Sequence, residues 1–228
     1  MKSALLCALL LPILSFAQDC RAYYFLQNNK TIEMTLTDNK GNPSGKVVYT
    51  VRDVTNSGGV VNAKVKTETF DKKGKSIAVG NSNMACENGM MKIDMKMNIP
   101  VQSGGKQDDD GVNASAKTED MFIEYPYSMK EGDLLKDARC VMNIETQTGM
   151  AQKLTMDITN RKVEGKEKIT TSAGSWDCFK ITSHSKIKME VMGIGVPVQT
   201  DQSEWFAPDF GVVKSSTKYG GTEITSIK

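Results

Sequence analysis

The alternation of apolar and polar residues at a period of two most constrains how this chain can fold. It is clearest from Met91 to Ile99, where odd positions are methionine or isoleucine, even positions are lysine, aspartate or asparagine, and Pro100 ends the run. Successive side chains of a β-strand point to opposite faces of a sheet. The run therefore predicts a strand with one face in a core and the other in water, because a slip of one residue would expose the whole apolar set.

The same period recurs between short turn sequences along the chain. Asn88-Gly89 is the strongest short hairpin signal, and Glu164-Gly165 predicts a further turn between two strands. No amphipathic helix is evident. The pattern amounts to about a dozen strands, which is more than an open twisted sheet usually holds without curling. We therefore expect a single all-β domain built on a strongly curved antiparallel sheet, half-barrel or barrel-like, with little helix.

Two C-terminal blocks concentrate aromatic residues. They are GSWDCFKI at 174–181 and EWFAPDFGVVKSST at 204–217. Both combine aromatic and β-branched residues with turn formers, a composition typical of strands and the turns between them. We expect the blocks to bring one set of rings into a common core: Trp176, Phe179, Trp205, Phe206 and Phe210.

Residues 1–17 have the pattern of a secretory signal peptide. Lys2 precedes an apolar run, Ala4 to Phe16, that is too short to span a bilayer. The mature domain is then expected to comprise residues 18–228. Cys20 does not directly follow a small residue at the end of the apolar run, so a lipid-anchored start is not expected. We predict an exported protein, periplasmic or extracellular, that is soluble after cleavage and is not an integral membrane protein.

Four cysteines remain outside the predicted signal peptide, an even number for an exported chain. Two disulfide bonds are the expectation for such a chain. Three connectivities are possible, and we favour Cys20 with Cys86 and Cys140 with Cys178 because each bridge then lies within one half of the sheet. Buried free thiols are the alternative. A zinc site is disfavoured because no two cysteines are close in sequence.

Several segments carry a family resemblance. They are DCRAYYF at 19–25, D-x-K-G turns at Asp38 and Asp71, NRKVEGKEKITTSAGSWDCFKI at 160–181, and EWFAPDFGVVKSS at 204–216. These segments resemble the TapB family, an uncharacterised exported bacterial group related to the DUF3108 proteins. The resemblance implies a strongly curved antiparallel sheet in a Gram-negative envelope, and it carries over no catalytic residue.

Charge and side-chain chemistry disfavour several classes of function. Basic residues number 29 and acidic residues 27, and no basic cluster is interleaved with aromatics, so a nucleic-acid partner is not expected. His184 is the only histidine, and no nucleophile motif accompanies it. The stretch from Asp108 to Gly111, with Asn113, lacks the closing glutamate of a calcium loop and is interpreted as a solvated loop. We expect no metal, no cofactor and no catalytic residue.

Methionine is abundant, with 14 in the chain. Many of these residues follow the strand period on apolar faces, which disfavours a copper site and favours either core packing or a plastic apolar wall. We define the expected apolar-ligand face by six residues: Met91, Met95, Met97, Met156, Ile187 and Met189.

Two non-catalytic functions fit these observations. The first is an envelope carrier or sensor that binds a hydrophobic, lipid-like ligand in the concave face of the sheet. A cavity of roughly a few hundred Å³ or more, lined by the apolar-ligand face and with few buried polar groups, would be typical of that function. The alternative is an interaction module that docks another envelope protein through loops or sheet edges. An enzyme is disfavoured because no constellation of residues supports one.

Overall fold

The structure is a computed structural model that describes residues 20, 23–98, 114–116, 121–145 and 151–228. The predicted signal peptide and the acidic stretch Asp108 to Gly111 lie outside these residues. Short 3-10 helices occur at Tyr24–Leu26 and Met95–Asn98. The strands are β1 Thr31–Asp38, β2 Pro43–Ser57, β3 Val60–Asp71, β4 Ser76–Glu87, β5 Met90–Asp94, β6 Ala114–Ala116, β7 Phe122–Pro126, β8 Ala138–Glu145, β9 Ala151–Thr171, β10 Gly174–Val191, β11 Pro197–Ala207, β12 Gly211–Thr217 and β13 Gly220–Ile227.

All the strands belong to one antiparallel sheet, in the order β6-β8-β9-β10-β11-β12-β13-β1-β2-β3-β4-β5-β7. Most neighbours in the sheet are therefore neighbours in sequence, joined by short turns. The exceptions are the pairings of β5 with β7, of β6 with β8, and of β13 with β1. The last of these places the end of the chain beside its first strand in the middle of the sheet. The sheet curves into a nearly closed barrel, which confirms the predicted fold class.

Arg161 of β9 joins the two ends of the sheet, at a junction we call the seam. Its Nη1 donates to the main-chain oxygen of Glu124 in β7, at 3.0 Å, and to that of Lys136, just before β8, at 2.8 Å. The guanidinium lies over the ring of Tyr125, 4.9 Å from its centroid. Arg161 is only 1% exposed. Its Nε and Nη2 have no hydrogen-bond partner among the described residues, so the two bonds from Nη1 and the contact with the Tyr125 ring are the interactions that compensate its lost hydration.

The N-terminal segment covers one end of the barrel. Phe25 packs edge-on against Tyr49 and against Phe210, with ring centroids 5.8 and 6.0 Å apart. Tyr24 donates its backbone N–H to the main-chain oxygen of Asp209. A disulfide between Cys20 and Cys86 fixes the segment to β4. This bridge is the first of the two predicted pairings.

The second predicted bridge is not formed, because Cys140 and Cys178 are separate buried thiols. The strand register explains the difference. Cys140 of β8 lies opposite Met156 of β9, which in turn lies opposite Ile187 of β10. Cys178 is nine residues from Ile187 along β10 (187 − 178). At roughly 3.3 Å per residue this is about 30 Å, far beyond the reach of a disulfide.

Two predicted strand boundaries are wrong. The run from Met91 does not continue as a strand to Ile99, because β5 ends at Asp94, whose carboxylate accepts a hydrogen bond from the backbone N–H of Lys96 at 2.9 Å and so favours the 3-10 turn. The predicted turn at Glu164-Gly165 is instead continuous strand. Gly165 has φ +146°, and the register of β9 against β10 shifts beside it, so the glycine permits a bulge and not a reversal.

The two aromatic blocks meet in the core as expected, with one exception. Phe179, Phe206 and Phe210 are buried, and Trp176 packs against Phe210 with ring centroids 5.4 Å apart. Trp205 follows the alternation onto the other face of β11. Its indole N–H donates to a carboxylate oxygen of Glu167 at 2.7 Å, outside the barrel.

We expect Arg161→Met to lower the free energy of unfolding by about 2 to 5 kcal/mol, because it removes both hydrogen bonds that Arg161 donates across the seam. Urea unfolding followed by tryptophan fluorescence measures the change. Arg139→Met is the matched control, since Arg139 is 61% exposed and pairs only with Asp157 at 3.6 Å. The control should change stability by no more than about 0.5 kcal/mol. Equal losses in the two variants would show that the seam does not depend on Arg161.

Peptide mapping without reduction should recover Cys20 joined to Cys86, with Cys140 and Cys178 alkylated only after unfolding because both are buried. Replacing Cys20 and Cys86 together by serine should cost about 4 kcal/mol on the loop-entropy model, given the separation of 66 residues. Cys140→Ala serves as the control that leaves the bridge intact. A peptide joining Cys140 to Cys178 would contradict this assignment.

Candidate functional site at the open end of the barrel

The antiparallel order gives the barrel two chemically different ends. Successive turns alternate between the ends, and the N-terminal segment covers the end formed by the turns after β2, β4, β9 and β11. We call this the closed end. We call the other end the open end because no segment within the described residues covers it. It includes the turns after β1, β3, β10 and β12, which are residues 39–42, 72–75, 192–196 and 218–219. The connections after β5 and β8 also lead to this end, and most of their residues lie outside the described part of the chain.

A cavity of about 160 Å³, smaller than the one predicted for a carrier, lies inside the barrel near the open end. Its wall includes Leu36, Ala78 and Thr222, each two residues from the end of its strand that lies at the open end. Val47 and Tyr49 of β2 form a deeper part of the wall. Burial raises the pKa of Tyr49 to about 12, so its phenol stays neutral at physiological pH. The cavity is therefore largely apolar.

A few polar groups also contact the cavity. The Thr67 hydroxyl is buried and has no hydrogen-bond partner among the described residues. The Ser82 hydroxyl donates to the main-chain oxygen of Val65 at 3.4 Å. Lys96 reaches the wall with its Nζ 3.2 Å from a carboxylate oxygen of Asp94. Because a buried polar group without a partner costs about 1 to 3 kcal/mol, the hydroxyl of Thr67 would favour a ligand that brings a polar atom.

Gly80 supplies part of the space. Its position on β4 lies opposite Thr67 of β3, and a Cβ added to it would have no other atom within 4 Å. Glycine is unfavourable inside a strand because it contributes no side chain to packing. A glycine on the inner face of β4 is a sequence signal for a cavity, and the analysis of apolar and polar alternation did not use this signal.

The expected apolar-ligand face is divided by the structure. Met91, Met95, Met97 and Met156 are buried in the core, and only Met97 of the six residues lines the cavity. Ile187 and Met189 lie on β10 opposite inward-facing residues of β9, yet they are 37% and 45% exposed.

His184 lies on the outer face of β10. Its ring nitrogens are 3.0 Å from a carboxylate oxygen of Asp201 and 3.2 Å from the side-chain oxygen of Gln199. The hydrogen bond to Asp201 chiefly raises the pKa of His184. Ser183 and Ser185 are buried and, by strand alternation, point to the opposite face, so neither can meet the imidazole. An open groove of about 790 Å³ beside His184 is lined mainly by hydroxyl and amide side chains.

The two free thiols are not activated. Burial raises the pKa of Cys178 to about 12 and also raises the pKa of Cys140. The reactive form of cysteine is the thiolate, so both are poor nucleophiles at neutral pH. Within the described residues, no three histidine, cysteine, aspartate or glutamate side chains are placed to hold a metal ion. In the same part of the chain, no helix has the length and apolarity needed to cross a bilayer.

A buried polar cluster lies deeper in the barrel. Glu204 accepts hydrogen bonds from the Tyr125 hydroxyl at 2.9 Å and from the side-chain amide of Gln202 at 2.6 Å. The Tyr125 ring stacks on Phe206 with centroids 4.7 Å apart and an interplanar angle of 1°. Burial raises the pKa of Glu204, and the Arg161 charge only partly offsets this effect. The cluster supports the seam, and none of its members lines the cavity at the open end.

Two crystal structures share this curved-sheet architecture. One is a lipoprotein described from Parabacteroides distasonis, with 21% identity, a TM-score of 0.71, and coverage of 92% of this chain and 100% of that one. The other, from Bacteroides fragilis, is described as an exported protein with a YmcC-like fold. It has 17% identity, a TM-score of 0.69, and coverage of 89% of this chain and 96% of that one.

Residues 27–226 match the DUF3108-like family, and the chain belongs to it. The match covers nearly all of the described barrel, from just after the 3-10 helix Tyr24–Leu26 into the last strand. No curated protein matches the chain.

Stability should fall as pH rises if Glu204 is held in its protonated form by the fold. The folded pKa of Glu204 is raised above its usual value of 4.5, so its contribution is complete below that value and is lost as pH rises through the folded pKa. Glu204→Gln should remove this part of the pH dependence of the melting temperature. Glu164→Gln should leave it unchanged, because hydrogen bonds from Thr182 and Lys162 lower the pKa of Glu164. Identical pH profiles for wild type and Glu204→Gln would contradict the role of Glu204.

Proposed function

We propose that this protein is a non-catalytic carrier or sensor of the bacterial envelope that binds the apolar end of an amphiphilic, lipid-like ligand at the open end of the barrel. The observation that carries the proposal is the cavity lined by Leu36, Val47 and Met97, with the unpartnered hydroxyl of Thr67 in its wall. The disulfide supports an oxidising compartment. The descriptions of the structural relatives as exported protein and lipoprotein agree with such a location.

The size of the cavity limits the ligand. About 160 Å³ is close to the engineered protein cavity that accepts benzene, and it suits a chain of about six carbons. Burying about six carbons gives about 4 to 5 kcal/mol, which corresponds to a dissociation constant near 1 mM or somewhat below. A longer chain would have to extend through the open end. The proposal therefore concerns a ligand held by its apolar end and exposed elsewhere.

An interaction module is the second candidate, and one observation favours it. Large apolar side chains project into solvent from the β10–β11 hairpin, including Met192 and Ile194. Under this alternative the barrel interior serves only stability, and the working surface is outside. We also propose that the chain is related to the narrower TapB family. This relationship does not discriminate between a carrier and an interaction module, because no activity is established for that family.

Titration calorimetry with hexanoate and hexanol tests the carrier function. We expect binding of at least one of them with a dissociation constant of about 1 mM or lower. Gly80→Leu should abolish this binding, because its side chain would fill the cavity from a position where a Cβ meets no neighbour. The variant should be at least as stable as wild type, since it replaces a strand glycine and buries apolar surface.

Asn83→Leu is the matched control for the cavity variant. Asn83 is exposed on the same strand, three residues from Gly80, and by strand alternation its side chain is on the other face. It should bind the probes as wild type does. Absence of probe binding to wild type, together with no lipid in organic extracts of protein purified from its native envelope, would favour the interaction module.

A further inference from the structure

The exposed apolar side chains of the described chain are concentrated at the open end. Leu134, near the closed end, is the exception among nine large hydrophobic residues that are exposed. Ile77 lies at the start of β4 and Tyr219 in the turn before β13, both at the open end. The remaining six belong to the β10–β11 hairpin: Ile187, Met189, Met192, Ile194, Val196 and Val198.

The β10–β11 hairpin projects beyond its neighbour on one side. The last pair between β11 and β12 joins Gln202 to Thr217, so the five residues 197–201 of β11 extend past the end of β12. At roughly 3.3 Å per residue this extension is about 16 Å along the strand. At its tip, Met192, Ile194 and Val196 are 80% to 86% exposed.

The hairpin tip satisfies part of its own backbone. Val191 and Ile194 exchange two N–H···O hydrogen bonds, each 3.0 Å long, across the turn. Met192 and Gly193 adopt positive φ angles of 52° and 79°, which close this tight turn. An unpaired backbone group costs several kcal/mol in hydrocarbon, so a paired tip can enter an apolar phase far more easily than an open loop.

Lysines also occur in other turns at the open end. Lys72, Lys73 and Lys75 occupy the turn after β3, and they are exposed. The Asp71 carboxylate in that turn accepts hydrogen bonds from the backbone N–H groups of Lys73 and Lys75. Lys218 lies over the Tyr219 ring, 5.0 Å from its centroid. Lysine beside exposed aromatic and aliphatic side chains is the composition of surfaces that lie in the headgroup region of anionic bilayers.

We propose that the open end of the barrel docks onto an anionic lipid bilayer, with the tip of the β10–β11 hairpin inserted among the acyl chains. Apolar residues of interfacial segments enter a bilayer by about 5 to 10 Å, a depth within the reach of the projecting tip. The lysine turns then meet the headgroups. A fluid bilayer can contact the hairpin, Ile77 and Tyr219 together, although they lie in separate parts of the chain. A rigid protein partner would need a surface whose shape is complementary to all three. This docking stands independently of ligand binding in the cavity.

Co-sedimentation with lipid vesicles tests the docking. The full mature protein should bind vesicles of phosphatidylcholine that contain phosphatidylglycerol, and bind vesicles of phosphatidylcholine alone more weakly. Replacing Met192, Ile194 and Val196 together by serine should weaken binding by about tenfold or more. Leu134→Ser is the matched control, since Leu134 is 79% exposed near the opposite end, and it should bind as wild type does.

A second variant separates charge from insertion. Replacing Lys72, Lys73 and Lys75 together by glutamine should weaken binding to the anionic vesicles by about tenfold or more and reduce its salt dependence, with little effect on phosphatidylcholine vesicles. Circular dichroism and unchanged hexanoate titration would show that both triple variants retain the fold and the cavity.

Two results would overturn the docking proposal. One is a wild-type protein that does not bind the anionic vesicles, or binds them as well after the serine substitutions as before. The other is a concentration-dependent dimer, without vesicles, that the serine substitutions abolish, since the hairpin would then be covered by a second copy of the chain.

Discussion

The buried hydrogen bonds of Arg161 are the contact on which the rest of the barrel depends. A sheet with this many strands has two edges, and open edges expose unpaired backbone groups and the core behind them. Arg161 donates to main-chain oxygens on both sides of the seam. The ring of Tyr125 and the side chain of Glu204 lie behind it. Closure of the seam buries this polar cluster, and none of its members lines the cavity.

The alternation of residues predicted the fold class because side-chain direction in a strand is a local property. Met91 and Met95 are buried as that alternation requires. The errors lie where backbone geometry depends on nonlocal partners. Gly165 is compatible with a turn or a bulge, and only pairing with β10 decides between them. Cys140 and Cys178 are both buried, but their separation depends on a register across three strands that no cysteine spacing encodes.

The candidate site was less predictable than the fold for a related reason. The sequence shows that the six residues of the apolar-ligand face are apolar. It does not show where space is left between opposite walls of the barrel, because that space depends on the curvature and closure of the sheet. Of these six residues only Met97 lines the cavity, and the rest of its wall includes residues such as Thr67 and Gly80. Ile187 and Met189 lie in the part of the β10–β11 hairpin that extends past the end of β12 at Thr217, and they are therefore exposed. Their exposure depends on the relative lengths of different strands, which the alternation within one strand does not predict.

The pairing of β1 with β13 also limits the order in which the strands of the sheet can pair during folding. Ile32 lies opposite Ile227, so the two central strands of the sheet come from opposite termini of the chain. Contacts of such high sequence separation form slowly, because a long loop must close before they contribute any energy. Until β13 has been synthesised and has paired with both neighbours, β1 and β12 are edge strands with unpaired backbone groups. The nascent chain then holds two separate, incomplete half-sheets. Passage across a membrane as an unfolded chain, followed by folding from the full-length sequence, would avoid that intermediate.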